Sequence, residues 1–501
     1  MGKQYYSSSR PSNSRRHYSS TTALILFVFF VLVGLLLFVG VFDSSSAVSS
    51  IWHSGRLQEE FPLRCPSRGS TAATRNSYYP TTTTTTTTRH KPAANVSCPA
   101  YFRWIHEDLR PWKGSGITRE MVDGGRRSAH FRLVIVEGRA YVDKYRPALQ
   151  TRDVYTLWGI LQLLRLYPGR LPDLELLFDC DDRPVVRRRR PNSGPPPPPL
   201  FRYCSDGASL DIVFPDWSFW GWVETNIRPW KNVLEDIQQG NNRLKWKDRA
   251  PYAYWRGNPT VAATRKDLLN CNFTHYWNTT TRLYTQDWKV ESAQGYRQSK
   301  LQDQCTHKYK IYIEGWAWSV SEKYILACNS MVLYVRSAYH DFFSRGMSPL
   351  QHYWPIRDNT KCSSLKYAVE WGNNHSQEAQ GIGEAGSRYV FEEMKMEFVY
   401  DYMFHLLTEY AKLLRFKPTV PPGAVEVSPE TMACHQNGTY RKFMMESLVR
   451  SPSHSVPCNL PPAFDSNELR DFWDGNDKSI KRVEAWEDEY WRTHPKPNLG
   501  S

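Results

Sequence analysis

The chain has 501 residues, 41% of them hydrophobic and 14% aromatic, with 19 Trp and 29 Tyr; this excludes a wholly disordered chain, and the length excludes a single small core. A net charge of +14 would on composition alone suit nucleic acid. The placement of charge argues against that partner, because Lys3, Arg10, Arg15 and Arg16 precede a membrane-length apolar segment with no acidic residue among them, leaving about +10 beyond it.

Residues 23–42 (ALILFVFFVLVGLLLFVGVF) form an uncharged run of 20 residues. That is the length a helix needs to cross the hydrocarbon core, and longer than the apolar region of a cleaved signal peptide, so it reads as a signal anchor. The basic flank predicts a cytosolic tail over residues 1–22 and a luminal remainder, as in a single-pass type II membrane protein. Residues 43–94 turn to Ser, Thr, Arg and Pro, with an unbroken Thr tract at 81–88, and read as a disordered stem. The sequons at Asn95, Asn272, Asn278, Asn374 and Asn437 all follow the apolar run, as luminal N-glycosylation requires. Ten cysteines without a CxxC or a Cys/His cluster predict disulfides and no zinc site.

Apolar runs at Phe131–Val136, Leu174–Phe178 and Met331–Val335 read as short buried strands. They are separated by segments of helical spacing, which predicts an α/β fold. Arg187, Arg188, Arg189 and Arg190 with the proline run at 195–199 read as an exposed loop, since like charges repel and proline removes backbone donors. The clearest helix is expected over residues 387–416, with Phe391, Met394, Phe398, Tyr402, Leu406, Tyr410 and Leu413 on one packing face.

Several segments occur together in a fixed order: 98–112 (CPAYFRWIHEDLRPW), 131–145, 171–184 (LPDLELLFDCDDRP), 211–220 (DIVFPDWSFW), 254–265 (YWRGNPTVAATR), 305–310 (CTHKYK) and 315–334. Together they resemble the catalytic domain of glycosyltransferase family 90, shared by Rumi-like protein O-glucosyltransferases and fungal capsule-associated xylosyltransferases. The resemblance spans residues 95–420 and leaves 421–501 as a C-terminal extension. It implies a GT-B fold, with two Rossmann-like halves facing a cleft. It also implies inverting transfer from UDP-glucose or UDP-xylose without a metal or other cofactor. A cleft carboxylate then takes the proton of the acceptor hydroxyl. The family's catalytic aspartate, in its R-D-x-P segment, falls on Asp182, and Asp181 stands where the family has a basic residue. Neighbouring side chains on an extended segment point opposite ways, so only Asp182 is expected in the cleft. Asp179 and Asp181 also spell the D-x-D with which GT-A enzymes hold manganese; a metal-dependent transferase and a non-catalytic glycan-binding relative are the alternative readings.

The resemblance further implies donor contacts from Arg256, Gly257 and Asn258, from Arg265 to the diphosphate, from Trp230, and from Trp316, Ala317, Trp318, Ser319, Val320 and Ser321. Trp217, Phe219 and Trp220 are expected to pack and shape the cleft. The family's glucosyltransferases carry arginine where this chain has Ser321, so the diphosphate loses one cation unless Lys323 or another residue compensates. Cys305 and Cys328 match a family disulfide. The family's acceptor-side loop, closed by two cysteines, corresponds to residues 143–152, which contain none. That departure points to a glycan acceptor, with a glycoprotein left open. The C-terminal Pro-Asn-Leu-Gly-Ser is not an ER retrieval tetrapeptide, so residence in the Golgi is expected over the endoplasmic reticulum.

Overall fold

The computed structural model describes residues 62–65, 96–190, 194, 196–273 and 279–495. The expected cytosolic tail, membrane segment and most of the stem lie outside the described residues, as do Asn95 and Asn278. No helix among the described residues is long and apolar enough to cross a membrane.

The strands in chain order are β1 (Phe131–Val136), β2 (Arg139–Lys144), β3 (Leu174–Phe178), β4 (Leu200–Arg202), β5 (Ser205–Asp206), β6 (Ile212–Val213), β7 (Ala250–Gly257), β8 (Thr281–Thr285), β9 (His307–Tyr312), β10 (Met331–Val335), β11 (Tyr339–His340), β12 (Trp354–Ile356) and β13 (Val425–Val427). The three strands expected from apolar runs therefore form over those residues. One sheet has the order β13-β2-β1-β3-β4-β6 and a second the order β12-β10-β9-β7-β8, while β5 and β11 form a separate two-stranded ladder. The fold is thus mixed α/β.

The first sheet begins as a hairpin because Glu137 and Gly138 both take positive φ, 51° and 75°, the turn that matches strand twist. β1 is antiparallel to β2 and β3, whereas β3, β4 and β6 run parallel. Against this sheet lies the helix Arg152–Leu166, buried over almost its whole length. Gly159 lets it approach the indole of Trp220, which a Cβ there would meet at 2.4 Å. The second sheet is parallel throughout and encloses its own apolar cluster, including Ala253, Ile311, Leu333, Trp354 and Leu365. Of the apolar runs seen in the sequence, Met331–Val335 lies in this sheet, buried between parallel neighbours β9 and β12.

The single helix expected over residues 387–416 is two helices, Ser376–Glu393 and Met396–Leu413. The break holds because side chains from elsewhere take up carbonyls at the joint: Tyr101 Oη–H donates to Glu393 O at 3.0 Å and Trp230 Nε1–H to Met394 O at 2.8 Å. Met394, Tyr402, Leu406 and Tyr410 of the expected face are buried.

Residues beyond 420 pack on the same body. β13 extends the first sheet along β2. The helix Ser466–Thr493 starts at a capping box between Asp465 and Glu468 and buries Val483 and Glu487 against the second half, where Ser364 Oγ donates to Glu487 at 2.8 Å. Four disulfides join Cys65 to Cys434, Cys98 to Cys458, Cys271 to Cys362 and Cys305 to Cys328. The first ties one point of the expected stem to this body. Cys180 and Cys204 are buried free thiols, so pairing is not complete, and burial raises both thiol pKa values. Asn272, Asn374 and Asn437 are exposed, and so are Arg187 to Arg190.

Candidate active site

The carboxyl ends of β7 and β9 open onto one cavity, the position where parallel α/β sheets place ligands. β7 ends at Gly257, where a Cβ would stand 2.7 Å from the ring of Trp255. Asn258 then turns the chain, its Oδ1 accepting the amide and hydroxyl of Thr260 at 2.8 and 2.7 Å. The following short helix, Ala263–Leu268, carries Arg265 inward. Its Nε donates to Glu314 O at 2.8 Å and its Nη2 to Ile313 O at 3.2 Å and Ser319 Oγ at 2.9 Å; Nη1 donates to Asn258 O at 3.3 Å. Arg265 therefore fastens the loop after β9 to the loop after β7. Burial lowers its pKa to about 10, so it remains a cation at neutral pH. Ser319 Oγ also lies 2.8 Å from Ser321 Oγ.

Across the cavity stands Asp182, on the loop after β3. Its Oδ1 accepts from Arg152 Nη1 at 2.8 Å, and no donor among the described residues faces its Oδ2. Arg152 is itself aimed by Cys180 O at 3.1 Å and by the ring of Trp217, 4.4 Å from its guanidinium carbon. Asp181 turns the other way, to Arg146 at 3.0 Å, and does not line the cavity. Asp179 is buried against Arg202 and lies 3.3 Å from Arg146. Together with His130 these two carboxylates form a group close enough to hold a metal ion, yet arginines already neutralise them.

The walls carry more donors than the protein satisfies. Arg152 Nε, Trp217 Nε1, Arg256 Nε, Gln286 Nε2 and Trp318 Nε1 are buried N–H groups of cavity residues without an acceptor among the described residues. An unsatisfied buried donor costs about 1–3 kcal/mol, and these nitrogens lie just behind the cavity surface rather than on it.

Of the residues expected from sequence, Asp182, Arg256, Gly257, Asn258, Arg265, Trp316, Trp318, Ser319, Val320 and Ser321 meet around this cavity. Trp230 and Ala317 do not. Trp230 is fully buried behind Tyr324, their rings 5.7 Å apart, because its N–H serves the helix break; Ala317 points into the core. Lys323, which could have made up for the missing cation, is buried with Asp216 at 2.8 Å and its ammonium does not serve the cavity. Trp217 lines the cavity rather than only packing behind it. Sequence reasoning passed over Arg152, Gln286 and Lys310. Only Lys310 left a signal, as a lysine inside a strand that is otherwise buried. It is enclosed, donates to Gln304 O at 3.2 Å, and its pKa falls to about 7 through burial and then the nearby charge of Arg249.

Comparison with known proteins agrees with the arrangement. The residue pattern of glycosyl transferase family 90 matches residues 93–487. Protein O-glucosyltransferase 1 of Homo sapiens is 27% identical over 364 residues, covering 68% of this chain and 88% of its own length. The O-glucosyltransferase rumi homolog of Aedes aegypti is 26% identical over 359 residues, covering 68% and 84%. The O-glucosyltransferase rumi of Drosophila melanogaster is 23% identical over 357 residues, covering 66% and 82%.

Proposed function

The chain belongs to glycosyl transferase family 90 and is a glycosyltransferase, and from that premise we propose that it transfers glucose or xylose from a UDP-sugar to a hydroxyl of a glycan or glycoprotein, with inversion and Asp182 as base. The observation that carries this reading is the cavity that sets Asp182, with Oδ2 unpaired among the described residues, across from the Arg256–Asn258 turn and the Ser319–Ser321 loop. A nucleotide diphosphate sugar presents acceptor oxygens along its whole length. Arg265, Ser319, Ser321 and the Arg256–Asn258 turn are the donor-side contacts, and fixed cations there stabilise the leaving diphosphate. Asp182 Oδ2 takes the acceptor proton while the acceptor oxygen bonds to the anomeric carbon; the bond from that carbon to the phosphate oxygen breaks and UDP leaves with its electron pair. Arg152 holds the other carboxylate oxygen and so orients the base.

The two sheets are the two halves of a GT-B enzyme in this reading, which the parallel second sheet and its cavity-facing carboxyl ends support. Transfer without a bound metal is supported by the arginines that already neutralise Asp179 and Asp181, outside the cavity. The apolar run, its basic flank and the sequons support a type II protein of a secretory-pathway membrane, in this reading the Golgi, with its catalytic body in the lumen. The names of the curated relatives favour glucose as donor sugar and a protein acceptor, whereas the cysteine-free 143–152 segment favours a glycan.

The test is UDP release by the purified full-length chain across a panel of UDP-sugars. UDP-glucose or UDP-xylose should be turned over above the others; a chain that binds glycans but releases no UDP from any donor would be the non-catalytic relative.

A further inference from the structure

Among the aromatic residues described around the cavity, Trp316 alone is more open than closed, at 55% exposure, while Trp217, Trp255 and Trp318 are buried. The backbone is shaped to keep it so. Gly315 N–H donates to Ala317 O at 2.9 Å, closing a tight turn with Trp316 at its apex, and the buried Ala317 and Trp318 anchor the outgoing strand of the loop. Arg183, next to Asp182 in the chain, lies over the indole with its guanidinium carbon 4.0 Å from a ring centroid, and its Nε donates to Trp316 O at 3.1 Å. The base is thus one residue from a fixed, half-open aromatic plate that carries a cation on one face. Nothing in the packing of the protein requires that indole to stand in solvent.

We propose that Trp316 and Arg183 form the acceptor subsite, and that the acceptor is a carbohydrate. A pyranose lays its C–H face on the open indole surface, its hydroxyls meet the Arg183 guanidinium, and the hydroxyl to be glycosylated reaches Asp182. Trp316 is then a specificity residue on the acceptor side rather than a donor contact. This rests on the reading of Asp182 as base. A flat ring platform suits one sugar unit at a time, and the segment at residues 143–152 has no disulfide with which to present a folded protein.

The experiment is calorimetric titration of the full-length chain carrying Asp182→Asn, with UDP present, against hexasaccharides of β-xylan, β-glucan, β-mannan, β-galactan and polygalacturonan and against a serine-rich peptide. At least one hexasaccharide should bind. Adding Trp316→Ala should weaken it by about tenfold or more, as loss of a central aromatic anchor does. Trp316→Tyr should keep most of the affinity, Arg183→Ala should fall between, and UDP affinity should move by less than about twofold in each. The proposal is overturned if no hexasaccharide binds, if only the peptide binds, or if Trp316→Ala weakens UDP and spares the sugar. Trp316-dependent glycan binding in a chain that turns over no UDP-sugar would leave the subsite standing and remove the transferase reading instead.

Discussion

Arg265→Met separates the structural from the ligand-facing role of the residue that joins the two cavity loops. Methionine keeps the length and apolar stem but removes donors to Glu314 O, Ile313 O, Asn258 O and Ser319 Oγ. At about 1–3 kcal/mol for each of the four acceptors left unpaired, the upper bound is about 12 kcal/mol. Two effects reduce it: water from the open cavity can reach part of the site, and burial already disfavours the charge, as its lowered pKa records. The net loss expected is about 3 kcal/mol, or roughly 6 °C in melting temperature at about 2 °C per kcal/mol for a large body. Differential scanning fluorimetry with and without UDP measures both consequences. The variant should melt several degrees lower and lose most of its stabilisation by UDP. Arg265→Lys should recover only part, because an ammonium cannot reach four acceptors in a planar fan. If Arg265→Met melts with the parent and UDP stabilises it equally, Arg265 neither fastens the loops nor meets the diphosphate.

Three further outcomes are expected. Lys310, with its pKa lowered to about 7 and an unfolded value near 10, costs stability most fully below pH 7, where both states are protonated; from pH 7 to 9 the folded state sheds the proton and the parent should recover up to about 1.4 kcal/mol per pH unit. Lys310→Met should therefore be more stable than the parent at pH 7 in urea melts, by a margin that shrinks towards pH 9, and a constant margin would refute the burial argument. EDTA should leave UDP release unchanged, whereas loss restored by manganese would revive the Asp179/Asp181 metal reading. Protease added to sealed microsomes should spare the chain beyond residue 43, and digestion of the catalytic body would refute the type II orientation.

What could be read in advance was local. Phe131–Val136, Leu174–Phe178 and Met331–Val335 are short apolar-rich runs that suit buried strands, and the two charges within them, Arg132 and Glu175, pair with each other at 3.1 Å. The opposed directions of Asp181 and Asp182 match the alternation expected of neighbouring side chains, although residues 181–183 form a bend rather than a strand. What could not be read depends on distant partners. The break at Met394 has no glycine or proline to announce it and is held open by Trp230 and Tyr101, 164 and 292 residues or so away along the chain. The Arg152 to Asp182 contact joins the first turn of a helix to a loop after the next strand, with no spacing that marks it. Lys323 does not make up for the arginine absent at Ser321, because Asp216 claims its ammonium inside the core. Cysteine spacing likewise says nothing of the Cys65 to Cys434 bond, 369 residues apart.

The central claim is that Asp182 is the base of a UDP-sugar transferase, and paired Asp→Asn substitutions in a UDP-release assay test it most directly. Asp182→Asn keeps the size of the side chain but removes the proton acceptor, so turnover should fall by about 10²–10⁴ with UDP affinity little changed. Asp181→Asn, whose carboxylate faces Arg146 outside the cavity, should stay within a few-fold of the parent. Full activity in Asp182→Asn, or its loss in Asp181→Asn alone, would contradict the account.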